Sequence, residues 1–168
     1  KSFLVKNKLK ILKLFSWLKF IRKNYDKNPP IYPKNLDGIK VHIGSGKINL
    51  QGWINIDGIK MSHIHNVDKN FELKEFKDKS VSEIYLCHVL EHFSFNTSKI
   101  LLINLHKKLK LNGVIRISVP NLDKILVAYN ETKKLNLLKN AIMGGQNTEF
   151  DFHKSIFNKA ELESLLTE

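Results

Sequence analysis

The sequence predicts a three-layer α/β domain: five mostly parallel strands in the order 3-2-1-4-5, with helices on both faces of the sheet. Three observations lead there. Short β-branched runs alternate with helical segments from about residue 36 onward, the first run stops at a glycine turn, and the second stops at an aspartate. In such sheets ligands bind outside the carboxyl ends of the strands, which is where both of those stops fall.

Residues 39–43 form the first run, ended by Gly44-Ser45-Gly46; residues 53–56 form the second, ended by Asp57; residues 64–67 form a weaker third, ended by Asp68. Residues 83–87 read as the fourth strand and 113–119 as the fifth, stopped by Pro120. Helices are predicted over 97–109, 122–138 and 159–166 from their apolar spacing. One connection is tight. Only six residues separate Gly46 from Trp53, whereas a parallel crossover usually takes a dozen or more, so a single helical turn is expected to serve.

Ahead of this domain, Ile11, Leu14, Phe15, Leu18 and Ile21 fall at helical spacing within residues 3–23, with Lys13, Lys19 and Lys23 on the other side. This is an amphipathic basic helix. Lysines interrupt its apolar runs too often for a signal peptide or a membrane span. Pro29, Pro30 and Pro33 then make a stiff linker, so the expected organisation is helix and linker over 1–35 and the α/β domain over 36–168. The chain opens on Lys1 and closes at Glu168 within a predicted helix, which is the expectation for a fragment.

The formal charge is +12 at pH 7, unevenly spread: nine basic residues precede Asn28 against one acid, Asp26. That segment has three readings: a lid over the ligand site, an interfacial helix on an anionic membrane, or a docking segment for another chain. Cys87 is the only cysteine, so no internal disulfide forms and a reducing cytoplasm fits, with peripheral membrane contact as the alternative the helix leaves open. Nucleic acid is not the expected partner, because the domain has no basic stretch with interleaved aromatics.

A glycine pair alone is a weak sign, and a dinucleotide fingerprint would need a third glycine near Asn49 that this chain lacks. Asp57 strengthens it, since a carboxylate at the end of the second strand accepts both hydroxyls of a ribose. The alternative for Asp57 is a solvated turn residue before Gly58. His42 on a buried strand reads as structural, Glu91 as a helix-start charge, and His63 and His65 lack a third ligand, so no metal is assigned.

Taken together, Val41-His42-Ile43-Gly44-Ser45-Gly46 and Gly52-Trp53-Ile54-Asn55-Ile56-Asp57 resemble the glycine and ribose motifs of class I S-adenosylmethionine-dependent methyltransferases, in a bacterial subgroup with a short link between the first two strands. The run from Glu83 through His88-Val89-Leu90-Glu91-His92, the run Ile117-Ser118-Val119-Pro120-Asn121, and Gly144-Gly145-Gln146 with Asp151-Phe152-His153-Lys154 are similar to that subgroup's later blocks, in the same order. The resemblance implies a Rossmann-like domain that binds S-adenosylmethionine. Gly44, Ser45 and Gly46 would face its methionine part, Asp57 its ribose, the Asp68 region its adenine, and His88 would lie beneath it. The chain departs from the family at Lys69, where an apolar residue is usual, and it lacks the family's last two strands.

Methyl transfer from a sulfonium is an in-line displacement, so the protein aligns the acceptor and, for a hydroxyl or amine, removes a proton. His92 and His153 are the expected catalytic bases; helix capping and loop tethering are the structural alternatives for them. The expected acceptor is a small molecule or a glycan. The alternative is a catalytically silent S-adenosylmethionine-binding module working through partner contacts.

Overall fold

The computed structural model describes residues 31–32 and 38–167. The basic helix and most of the proline linker therefore lie outside the described residues. Five strands, β1 (Ile39–Ile43), β2 (Ile54–Asp57), β3 (Asn66–Val67), β4 (Val81–Cys87) and β5 (Leu109–Ser118), form one sheet in the order β3-β2-β1-β4-β5. Every pairing is parallel, as the alternating pattern predicted.

Side chains alternate across the two faces of a strand, so the register assigns each residue to a face. Val41 pairs with Ile54 and Ile84, and Ile84 with Ile115; two residues on, Ile43 pairs with Ile56 and Leu86, and Leu86 with Ile117. These rows join one buried apolar cluster with Phe71, Leu73, Phe76 and Phe157. Helix α1 (Phe95–Lys108) completes it by burying Ser98, Leu101, Leu102 and Leu105, a one-face spacing. Ser94 caps α1 by accepting from the Thr97 amide, and His106, Lys107 and Lys108 sit at its C-terminal end, where the helix dipole favours positive charge.

Three expectations are corrected. The β1 to β2 crossover contains no helical turn; residues 44–53 run through hydrogen-bonded turns, Ile48 N–H to the Ser45 carbonyl and Trp53 N–H to the Leu50 carbonyl. Fully buried Asn55 stands in for the missing helix. Its Oδ1 accepts from Leu50 N–H and its Nδ2 donates to Asn49 Oδ1 and the Leu50 carbonyl, so both backbone groups of Leu50 are paired without a helix. Second, the helix expected over 122–138 is two, α2 (Leu122–Thr132) and α3 (Leu135–Met143). Lys133 is left-handed at φ 52°, and the Thr132 hydroxyl accepts from Lys134 N–H, a local bond that competes with helix continuation. Third, β5 starts at Leu109: register moves from Val81↔Leu109 to Glu83↔Val114, so residues 110–113 bulge out of the ladder. The closing helix, α4 (Lys159–Thr167), packs Leu162 and Leu165 on the core.

No described helix is long and apolar enough to cross a membrane. The two described linker residues rest on the β3 side, where the Tyr32 ring meets His65 edge-on at 5.2 Å and the Ile31 carbonyl accepts from His65 Nε2.

Candidate functional site

Because all five strands run the same way, their carboxyl ends share one rim of the sheet. A cavity of about 750 Å³ opens there, lined by Gly44 and Val89, by Asp57 and Gly58, by residues 69–71, by His88, His92, Phe93, Ser94 and Thr97, and by 148–151 with Lys154. Its size suits a drug-sized or nucleoside ligand.

At one end the glycine turn approaches the chain that follows β4. Gly44 has φ +63°, and a Cβ there would lie 2.3 Å from Val89 Cγ2, so neither the backbone angle nor the space admits a side chain. Asp57 ties this end together: its Oδ2 accepts from Gly46 N–H at 2.8 Å and its Oδ1 from Ile59 N–H at 2.9 Å. A carboxylate offers about four lone-pair sites, so roughly two remain for a ligand's hydroxyls. The turn is further held by His63, whose Nε2 donates to the Gly46 carbonyl at 3.0 Å.

Ser45 and Gly46 belong to the turn but not to the cavity wall, and the Ser45 hydroxyl is buried without a hydrogen-bond partner. Asp68 also stands back from the wall. Its carboxylate accepts from Asn70 N–H and Leu73 N–H, shaping the turn that carries Lys69, Asn70 and Phe71 to the cavity. Lys69, the departure noted in the sequence, reaches across to the opposite rim: its ammonium sits 5.1 Å from the Phe150 ring centre and 3.9 Å from Glu149. Cation–ring and ion-pair contacts thus bridge the cavity above Gly58.

The other end depends on the segment after α3. Gly144 and Gly145 leave room for the Asp151 backbone and carboxylate, which accepts from Gly145 N–H, Asn147 N–H and Asn147 Nδ2. Burial pushes the Asp151 carboxyl up, but these bonds outweigh it and hold it below its ordinary value. The following residues dock on the turn after β4: Lys154 N–H and Ser155 N–H both donate to the Glu91 carbonyl, and Ser155 Oγ donates to that of Leu90.

This docking brings the two predicted bases together, with ring centres 4.9 Å apart. His92 Nδ1 donates to the Phe152 carbonyl at 3.1 Å and His153 Nδ1 to the Ala141 carbonyl at 3.2 Å. Burial, joined by His92, pushes the His153 pKa down further than Glu91 and the Ala141 carbonyl raise it. His92 lines the cavity and His153 stands behind it. His88 also lines it, at a left-handed φ of 56°, the kind of strain that clusters at functional sites.

Glu91 is what the sequence reading undervalued. It does start a helix, the single 3₁₀ turn Leu90–His92, but it is buried there: it is 1% exposed, and its Oε1 accepts from His88 Nδ1 at 3.0 Å. The signal was present in His88-x-x-Glu91-His92 within an otherwise apolar turn, but its third member, His153, is distant in the chain. His42 is structural as expected, with Nδ1 3.1 Å from Asn55 Oδ1 and its ring stacked on Tyr85. His65 accepts from Asn55 N–H through Nδ1.

No protein-family model and no curated protein sequence matches the chain. Among solved structures, an S-adenosylmethionine-dependent methyltransferase from Archaeoglobus fulgidus superposes with a TM-score of 0.54 at 19% identity, over 99% of this chain and 72% of its own. Another from Thermotoga maritima gives 0.52 at 15% identity, over 80% of this chain and 64% of its own. At these identities the likeness is one of fold, and the chain has the Rossmann-like fold of class I S-adenosylmethionine-dependent methyltransferases.

Proposed function

We propose that the cavity binds S-adenosylmethionine and that the chain transfers its methyl group to a small-molecule or glycan-type acceptor. The observation that carries this is Asp57: a carboxylate at the carboxyl end of β2, on the cavity wall beside Gly44, with lone pairs to spare. A ribose presents two hydroxyl donors at matching separation, and the glycine turn lets the methionine part approach the backbone. The acceptor then enters from the His92 end, where Ser94, Thr97 and Lys154 supply polar groups for orientation. His92 takes the acceptor's proton through Nε2, since its Nδ1–H is committed to the Phe152 carbonyl. His153 backs it through the ring contact.

Calorimetric titration with S-adenosylhomocysteine tests the reading. The intact protein should bind it, and Asp57→Ala should weaken binding by about 1.5 to 3 kcal/mol, as for hydrogen bonds to a charged group. Because Asp57 also holds Gly46 and Ile59, the variant's unfolding midpoint is measured alongside to separate lost ligand contacts from a lost loop. Unchanged affinity would remove Asp57 from the site, and tighter binding of a nicotinamide dinucleotide would replace the cofactor.

A further inference from the structure

Three groups at the acceptor end converge without a donor between them. One ligating atom from each of Glu91, His92 and His153 lies within 4.8 Å of the other two. Both imidazoles spend Nδ1–H on backbone carbonyls, Phe152 for His92 and Ala141 for His153. In the neutral rings the lone pair is therefore on Nε2. His153 Nε2 is 3.9 Å from Glu91 Oε1, and Glu91 Oε2 is fully buried with no hydrogen-bond partner. A buried carboxylate oxygen without a donor is costly, and imidazole lone pairs beside it add to the local negative potential.

We propose that Glu91, His92 and His153 bind one first-row divalent transition-metal ion, with an open coordination position toward the cavity. Two imidazoles and one carboxylate form a set that holds zinc or iron while leaving room for a further ligand, and the nitrogen donors disfavour magnesium and calcium. The surroundings supply what such ligands require: a backbone carbonyl behind each ring fixes its tautomer, and His88 Nδ1–H holds the carboxylate at 3.0 Å. Ligand atoms about 2.1 Å from a metal stand roughly 3 to 3.5 Å from one another, so the side chains close in modestly on binding. His92 lies on the cavity wall, which leaves the remaining position to water or to an oxygen of a second ligand. A bound ion would occupy the lone pair on which the general-base role of His92 depends, so His92 serves as a base only in the metal-free site. The site itself does not rest on the cofactor assignment.

The test uses the tag-free full chain, stripped with a chelator, dialysed, and titrated with Co²⁺ and Zn²⁺. Saturable uptake of one equivalent is expected, with visible Co²⁺ absorption bands of a nitrogen and oxygen environment and a raised unfolding midpoint. His92→Ala and His153→Ala should each weaken uptake at least about tenfold, while His106→Ala, on the exposed side of α1, should not. Glu91→Gln is the third ligand variant; if it fails to fold, the two histidine variants carry the test. S-adenosylhomocysteine titration of the same preparations keeps the two proposals separable, because metal uptake without cofactor binding overturns only the earlier one. No uptake by the intact chain, or uptake unaltered in both His92→Ala and His153→Ala, overturns the metal site.

Discussion

The two faces of the sheet share one backbone but reach stability by different means. On one, Val41, Ile43, Ile54, Ile56, Ile84 and Leu86 are at most 2% exposed and belong to a single apolar cluster with α1. On the other, the aligned row is His42, Asn55, Tyr85 and Arg116, with Lys40 and Glu83 one step back. No described side chain of this second face joins the apolar cluster. Its residues satisfy one another across strands instead: His42 with Asn55 and Tyr85, Trp53 edge-on to Tyr85, and Glu83 with Arg116 and Lys40. Nondirectional burial thus anchors one side, and geometry-dependent polar pairs, each of modest net effect, organise the other.

Neighbouring residues sharpen this contrast. Leu86 is fully buried between Ile43 and Ile117, and Leu86→Ala should cost about 2 to 5 kcal/mol in urea unfolding, a lost contact plus the cavity it leaves. A cost below about 1 kcal/mol would mean that the aliphatic face does not carry the fold.

On the polar face the effect is smaller and depends on pH. Burial pushes the His42 pKa down more than Asn55 and Asp57 raise it, so the unfolded chain binds that proton more tightly than the folded one. Stability from neutral His42 is then complete above the unfolded value near 6.5 and declines as pH falls through it toward the lower folded value. His65 and His153 shift in the same direction, also chiefly through burial, and add to the slope. His42→Phe keeps a ring against Tyr85, leaves Asn55 Oδ1 its bond from Leu50, and should cost about 1 kcal/mol at pH 7. It should also flatten the loss of stability between about pH 7 and 5. An unchanged pH profile would show that His42 is not what titrates.

Least is expected of Arg116. Its side chain is 63% exposed where it meets Glu83, which keeps Lys40 as a second partner. Arg116→Ala should cost about 0 to 1 kcal/mol, with the difference shrinking in high salt. A larger loss that high salt abolishes would indicate that this face depends on its ion pairs, whereas a larger, salt-independent loss would indicate packing of the Arg116 stem and would blur the distinction between the two.

Strand identity was legible because the rows of the aliphatic face are written as alternation: Val41 and Ile43, Ile54 and Ile56, Ile84 and Leu86 each stand two apart. The glycine turn and Asp57 were legible for the same local reason, each being placed by the strand immediately before it. The break at Lys133 was not, because helical spacing continues through it and a side-chain bond from Thr132 decides the matter. The short crossover was not either, since the role of Asn55 is visible only once the loop has folded back over it.

The sequence by itself determined the parallel α/β architecture and the placing of Gly44 and Asp57 at the carboxyl ends of β1 and β2, since these follow from periodicities of two and 3.6 and from residues next to strand ends. Only the tertiary structure decided the His92 end of the cavity. His153 meets His92 because Gly144 and Gly145 let the Asp151 loop close and because Lys154 and Ser155 bind the Glu91 carbonyl. Burial of Glu91, and the lone pairs gathered around it, are products of that long-range docking, which no local pattern encodes.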